Sequence, residues 1–163
     1  MKDWSKKRYW IVGASEGLGL ALAQKMSEAG ASLILTARNE ARLKEIASTL
    51  PNEVEVLPLD ITDLNAVRKS VKKLENVDGF VFLAGAYWPM PAQHWDIEKL
   101  TAMIDVNLIG ALHTLDVILP IFLEKNRGHL VFTGSLAGYR GLPGALGYGS
   151  SKAAIANLSE TLR

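Results

Sequence analysis

Tyr9-Trp-Ile-Val-Gly13-Ala-Ser-Glu-Gly17-Leu-Gly19 is the stretch on which the fold turns. Tyr9 to Val12 is a continuous apolar run stopped by Gly13, the pattern of a buried strand. Leu18, Leu22, Met26 and Ala29, with Ala21 alongside, then recur at helical spacing. A glycine-rich turn therefore joins a strand to a helix N-terminus. Backbone N–H groups there lack intrahelical partners, and the helix dipole favours negative charge. Glycines let a diphosphate approach the backbone closely. Taken alone, the same turn is equally the glycine start of an ordinary helix; the strand before it and the helix after it favour the binding turn.

The alternation continues along the chain. Leu33-Ile-Leu35 is a second strand ending at Thr36-Ala37-Arg38, and Asn39 caps a helix facing inward with Leu43, Ile46, Ala47 and Leu50. Val54 to Leu57 is a third strand, leading to Leu59-Asp60-Ile61-Thr62. The next helix buries Leu64, Val67, Val71 and Leu74. Phe80 to Leu83 is strand four, followed by Ala84-Gly85-Ala86. Asp96 caps a short helix carrying Ile97, Leu100 and Ile104. A long apolar helix follows from about Val106 to about Leu123, with Pro120 tightening or kinking its last turn. Leu130 to Thr133 is strand five, and the final helix carries Tyr148, Lys152, Ile155, Leu158 and Leu162. Continuously apolar strands alternating with helices specify an α/β fold, a Rossmann-like doubly wound parallel sheet with helices on both faces. Right-handed crossovers and the turn after strand one give strand order 3-2-1-4-5. In such sheets ligands bind beyond the carboxyl ends of the strands, where the glycine turn, Arg38, Asp60, Gly85 and Ser135 all fall.

At 163 residues and 48% apolar content, the chain is one domain with a sizeable core. A net charge of +1 gives no electrostatic footprint for nucleic acid or an acidic membrane surface. The absence of cysteine excludes disulfides and thiolate sites, and suits a reducing cytoplasm, the expected location. The basic residues from Lys2 to Arg8 run straight into a strand, without the apolar stretch of a signal peptide. Leu108 to Phe122, interrupted by His113, Asp116 and Pro120, reads as too short and too polar for a membrane span. His94, His113 and His129 share no metal-ligand spacing, so no metal site is expected. Tyr87, Trp88 and Trp95, with Met90 between them, follow strand four. Packing is their default reading, and lining a substrate or cofactor edge the alternative.

Ser135 to Lys152 carries the chemistry. Tyr148 and Lys152 are four apart and share one face if the segment opens a helix. A phenol beside a fixed ammonium loses its proton more easily, which makes Tyr148 a candidate acid/base. Ser135, just past strand five, is placed to hydrogen-bond the same substrate oxygen. By chance alone, a tyrosine four before a lysine is more often a packed phenol and a solvated ammonium.

The set as a whole resembles the short-chain dehydrogenase/reductase family, in its common single-domain branch, from residue 9 to the end of the chain. Gly13-x-x-x-Gly17-x-Gly19 resembles that family's cofactor turn, Asp60 its adenine-contacting acid, and Asn107 in Asp-Val-Asn-Leu-Ile-Gly110 its helix asparagine. Ser135, Tyr148 and Lys152 fall at its active-site spacing. Val12 stands where the family often has threonine, and Leu83 where it usually has an asparagine that steadies the strand-four turn.

The resemblance implies hydride transfer between a nicotinamide cofactor and a small carbonyl or alcohol. Tyr148 would be the acid/base. Lys152 would lower its pKa and bind the nicotinamide ribose. Ser135 would hold the substrate oxygen, and Asn107 would anchor a relay water. The cofactor would lie against Gly13, Ser15, Gly17, Leu18 and Gly19. Further contacts would come from Arg38, Asp60 and Ile61, from Ala84 and Gly85, and from Asn107, Tyr148 and Lys152. Ala37 replaces the acidic residue that NAD enzymes place at the end of strand two, and Arg38 follows it. A guanidinium pairs bidentately with a 2′-phosphate, so NADP(H) is expected over NAD. The rival readings are a non-catalytic nucleotide-binding module of the same fold and an inactive fragment. The sequence stops at Arg163 inside the expected last helix, without a stop signal. A C-terminally truncated domain is therefore expected, one that lacks strands and a substrate-binding segment and forms a homodimer or homotetramer at full length.

Overall fold

The computed structural model describes residues 4–162. Met1 to Asp3 and Arg163, at which the sequence was expected to stop inside its last helix, lie outside them. Five parallel strands form one sheet in the order β3-β2-β1-β4-β5: β1 Arg8–Val12, β2 Ser32–Thr36, β3 Val54–Val56, β4 Gly79–Phe82 and β5 His129–Phe132. The register sets Val12 beside Thr36 and Phe82, and Phe82 beside Phe132, so the strands end at one edge.

The continuous apolar runs bury both faces. Alternate residues of each strand serve opposite cores. On one side Trp10, Ile34, Phe80 and Phe82 join Leu115, Ile118, Phe122 and Ile155 from the helices. On the other, Ile11, Leu33, Leu35 and Val81 meet Ala23, Met26, Leu43 and Ile46. The helices are α1 Gly17–Glu28, α2 Glu40–Thr49, α3 Leu64–Lys69, α4 Ile97–Ile104, α5 Gly110–Glu124 and α6 Leu146–Thr161. Asn39, Asp63 and Asp96 cap α2, α3 and α4, each side chain accepting a hydrogen bond from a first-turn N–H.

Several local expectations are corrected. Of the expected α1 stripe, Met26 is buried and Leu22 packs partly buried against the core, but Ala21 and Ala29 are exposed and Gly19, Ala23 and Ser27 are buried in addition. Leu18 instead is 69% exposed. The third helix breaks after Lys69 into a short 3-10 turn, which leaves Val71 exposed. The short and long apolar helices are not separate: a π-turn over Asp105–Ile109 joins α4 to α5. The joined helix, Ile97–Glu124, has 28 residues and is long and apolar enough to cross a membrane by length and composition. The earlier reading of this segment as too short is thereby overturned. Ala111, Leu115, Val117, Ile118 and Phe122 on it pack into the protein's own core, as in a core helix of a globular domain. Helix α5 continues through Pro120 to Glu124.

Candidate active site

Every cofactor-turn residue picked out in the sequence lies on one cavity of about 760 Å³ at the carboxyl edge of the sheet. Gly13, Ser15, Gly17, Leu18 and Gly19 form one wall. Arg38, Asp60 and Ile61 form the second, and Ala84 and Gly85 the third. The size falls in the usual range for small-ligand sites, roughly 300–1,000 Å³.

Close backbone approach explains Gly13 and Gly19. Gly13 has φ +91°, and a Cβ there would lie 2.5 Å from the Ala84 nitrogen. The turn after β1 and the turn after β4 therefore touch through a residue that cannot carry a side chain. A Cβ on Gly19 would overlap the Gly13 carbonyl oxygen, so α1 is seated directly on the turn. At Gly17 a Cβ would meet nothing within 4 Å, leaving the backbone bare at the cavity wall. Gly13→Ala should lower stability by at least about 2 kcal/mol, from positive-φ strain plus overlap with Ala84. Urea midpoints of the two proteins measure this.

On the second wall, Arg38 is exposed and has no hydrogen bond or ion pair among the described residues. Asp60 accepts from the Thr62 N–H at 3.0 Å and the Thr62 hydroxyl at 2.8 Å through one carboxylate oxygen. These bonds, with the Arg38 guanidinium adding through space, hold its carboxyl below the usual carboxylate range. Glu16, exposed beside Ser15, also lines this cavity.

Ser135, Tyr148, Lys152 and Asn107 are not among the residues lining the cavity; Asn107 reaches it through Ala86 and Tyr148 through Tyr87. Tyr87 joins the two regions: it lines the cavity, and its ring lies 4.8 Å from that of Tyr148. The Lys152 Nζ is 5.7 Å from the Tyr148 ring centroid and donates to the Thr133 carbonyl at 2.8 Å. Burial lowers the Lys152 pKa from its ordinary value. Ser135 precedes the 3-10 turn Leu136–Gly138, and its Oγ accepts from the Ala137 N–H at 3.2 Å. A Cβ on Gly138 would lie 2.8 Å from the Lys152 backbone, so this turn sits directly on the Tyr148–Lys152 stretch of α6.

Asn107 is fully buried in the π-turn. Its Oδ1 accepts from the Ala86 N–H at 2.7 Å, and its Nδ2 donates to the Ala86 carbonyl and the Ser151 hydroxyl, each at 3.0 Å. The turn after β4 is thus braced from the helix, where Leu83 offers no amide. Sequence reasoning passed over this clamp, the Tyr87–Tyr148 contact and buried Ser151. A serine at a helix position facing the core was the available signal for the last.

A glycine turn after β1 of a 3-2-1-4-5 sheet, with a polar cluster beyond β4 and β5, defines a dinucleotide-binding oxidoreductase fold. The family model for short chain dehydrogenases matches residues 7–163, and the chain belongs to that family. It is 35% identical over 156 residues to an uncharacterized oxidoreductase, SERP2049, of Staphylococcus epidermidis, covering 93% of this chain and 68% of that protein. It is 38% identical over 161 residues to sulfoacetaldehyde reductase 2 of Chromohalobacter salexigens, covering 94% of this chain and 64% of that one. A closed form of serine dehydrogenase complexed with NADP+ matches with a TM-score of 0.91 at 29% identity, over 96% of this chain and 65% of that one. The chain thus spans about two thirds of the length of the relatives it matches.

Proposed function

We propose that the protein containing this chain is an NADP(H)-dependent oxidoreductase that interconverts a small carbonyl compound and its alcohol, with Tyr148 as acid/base. The observation that carries this reading is the joint placement of Tyr148 and Lys152 on α6, one turn apart, beside a glycine-walled cavity.

The residues present fit a dinucleotide. Bare backbone at Gly17 and the N-terminus of α1 suit a diphosphate. Asp60 keeps its second carboxylate oxygen free for the adenine end. When bound, the nicotinamide supplies or accepts the hydride. Tyr148 gives its phenolic proton to the substrate oxygen in reduction and takes one back in oxidation. The Lys152 ammonium stabilises the negative charge that develops on the phenol oxygen as the proton leaves. Ser135 orients the substrate oxygen by a hydrogen bond. Both Nδ2 hydrogens of Asn107 are already used by Ala86 and Ser151, so the amide nitrogen has no donor left for a relay water.

Arg38 supports NADP(H), because its guanidinium is unpaired at the cavity wall and no carboxylate occupies position 37. Glu16 opposes it, since a 2′-phosphate near Ser15 meets that carboxylate too. The test compares kcat/KM for NADPH and NADH. Arg38→Ala should cut the NADPH preference about 10–100-fold, the scale of charge-assisted bonds worth about 1.5–3 kcal/mol. An unchanged ratio, or an initial preference for NADH, removes Arg38 as the phosphate reader. The reaction itself is tested by turnover of a carbonyl panel in a protein of the relatives' full length, with the 163-residue chain alongside. Cofactor binding without turnover in both would favour a non-catalytic binding module.

A further inference from the structure

We propose that Ser151 is a positioning residue: it ties the Asn107 clamp to α6 and thereby fixes where Tyr148 and Lys152 stand. This rests on the reading of Tyr148 as the acid/base.

Ser151 is completely buried, three residues after Tyr148 and directly before Lys152. Its hydroxyl donates to the Tyr148 carbonyl at 2.8 Å and accepts from the Asn107 Nδ2 at 3.0 Å. A helix serine satisfies itself by bonding back one turn, and such a bond needs no partner outside the helix. Here the hydroxyl oxygen also accepts from a side chain of a different helical segment. Asn107 holds both backbone groups of Ala86 as well. A continuous chain of bonds therefore runs from the turn after β4, through the π-turn, to the backbone of Tyr148. Its middle members, Asn107 and Ser151, are fully buried, and bonds in a low-dielectric interior are strong when complete and costly when broken.

Ile155 in the core and the Lys152 bond to the Thr133 carbonyl also restrain α6, and the Ser151 bond adds a directional link beside Tyr148. Successive residues of a helix are about 100° apart, so a small rotation of α6 displaces the Tyr148 and Lys152 side chains together. Gly147 already packs so closely on α4 that a Cβ would lie 3.0 Å from the Leu100 carbonyl, which sets depth. The Ser151–Asn107 bond is the side-chain link to the clamp that bears on its rotation next to Tyr148. The π-turn has a use in this account: it lies between the two α-helical segments and carries the buried Asn107 amide that reaches both Ala86 and α6.

Ser151→Ala leaves one Nδ2 hydrogen of Asn107 unpaired without adding bulk. In the full-length enzyme with NADPH and a responsive carbonyl, kcat should fall about 10–100-fold, the scale of losses from displaced reacting groups. Substrate KM and NADPH affinity should stay near the parent values. The pH profile for alcohol oxidation should differ from that of the parent. Ring-carbon NMR of labelled tyrosine, assigned through Tyr148→Phe, should show the Tyr148 resonance displaced and that of Tyr9 unmoved. Ser151→Cys, similar in size with a weak donor, should recover part of kcat. It also serves as the test if the alanine variant does not fold.

A variant with reduced thermal stability but parent kcat, pH profile and Tyr148 resonance would overturn the proposal and leave Ser151 a packing residue. Full turnover in Tyr148→Phe would instead overturn the acid/base reading, and this inference with it. The two failures are distinct.

Discussion

Tyr148→Phe should reduce turnover at least about 10²-fold, the usual contribution of a positioned general acid/base. The substitution removes one oxygen. The ring keeps its place, because its contacts are made through the ring face and not the hydroxyl: Tyr87 at a 4.8 Å centroid distance and the Lys152 Nζ cation at 5.7 Å. No hydrogen bond of the described structure involves the Tyr148 hydroxyl, so its loss orphans no buried partner there. Stability and NADPH affinity should therefore remain those of the parent, measured by urea unfolding and by calorimetric titration. That separation gives the experiment its force. A loss of turnover with intact binding assigns the proton to Tyr148. Near-parent turnover would refute the assignment outright, and a joint loss of binding and stability would make Tyr148 a structural residue.

How much of this was legible in the sequence depends on the range of the interactions involved. Tyr9 to Gly19 could be read directly, because a strand, a glycine turn and a helix start are local patterns. The close contact of Gly13 with Ala84, between turns far apart in sequence, could not be read that way. Strand order followed from a topological rule. The caps at Asn39 and Asp96 followed from side-chain chemistry within four residues. What was missed is long-range or irregular. The π-turn cannot be read from a hydrophobic period, because one extra residue per turn leaves the apolar content unchanged. It fused two expected helices into one. The face of α1 was partly misplaced for a related reason: periodicity cannot tell a leucine that packs inward from one at a cavity wall. Leu18 is the second kind. Asn107 was selected by resemblance, yet its partners, Ala86 and Ser151, are 21 and 44 residues away in sequence. Only the folded sheet brings them together.

Lys152→Met should combine a large kinetic loss with a distinctive pH dependence of stability. Turnover should drop at least about 10²-fold, because a preorganised charge beside the reacting group is removed. The stability effect has a definite sign. Burial lowers the Lys152 pKa in the folded protein below its unfolded value, about 10.4. Between the two values the unfolded chain binds more protons, so stability rises with pH across that window. Below the lowered value the full cost of burying the charge is present. Methionine carries no proton and removes this term. It also leaves the Thr133 carbonyl without the donor it has at 2.8 Å, a roughly pH-independent loss of about 1–3 kcal/mol. The difference in urea-unfolding free energy, parent minus variant, should therefore grow as pH is raised from neutral toward 10. A difference that stays flat over that range would mean that Lys152 has no depressed pKa in the folded state. A difference that shrinks would mean that its charge is stabilised there, as in a tight ion pair. Parent-level turnover in the variant would remove Lys152 from the chemistry altogether.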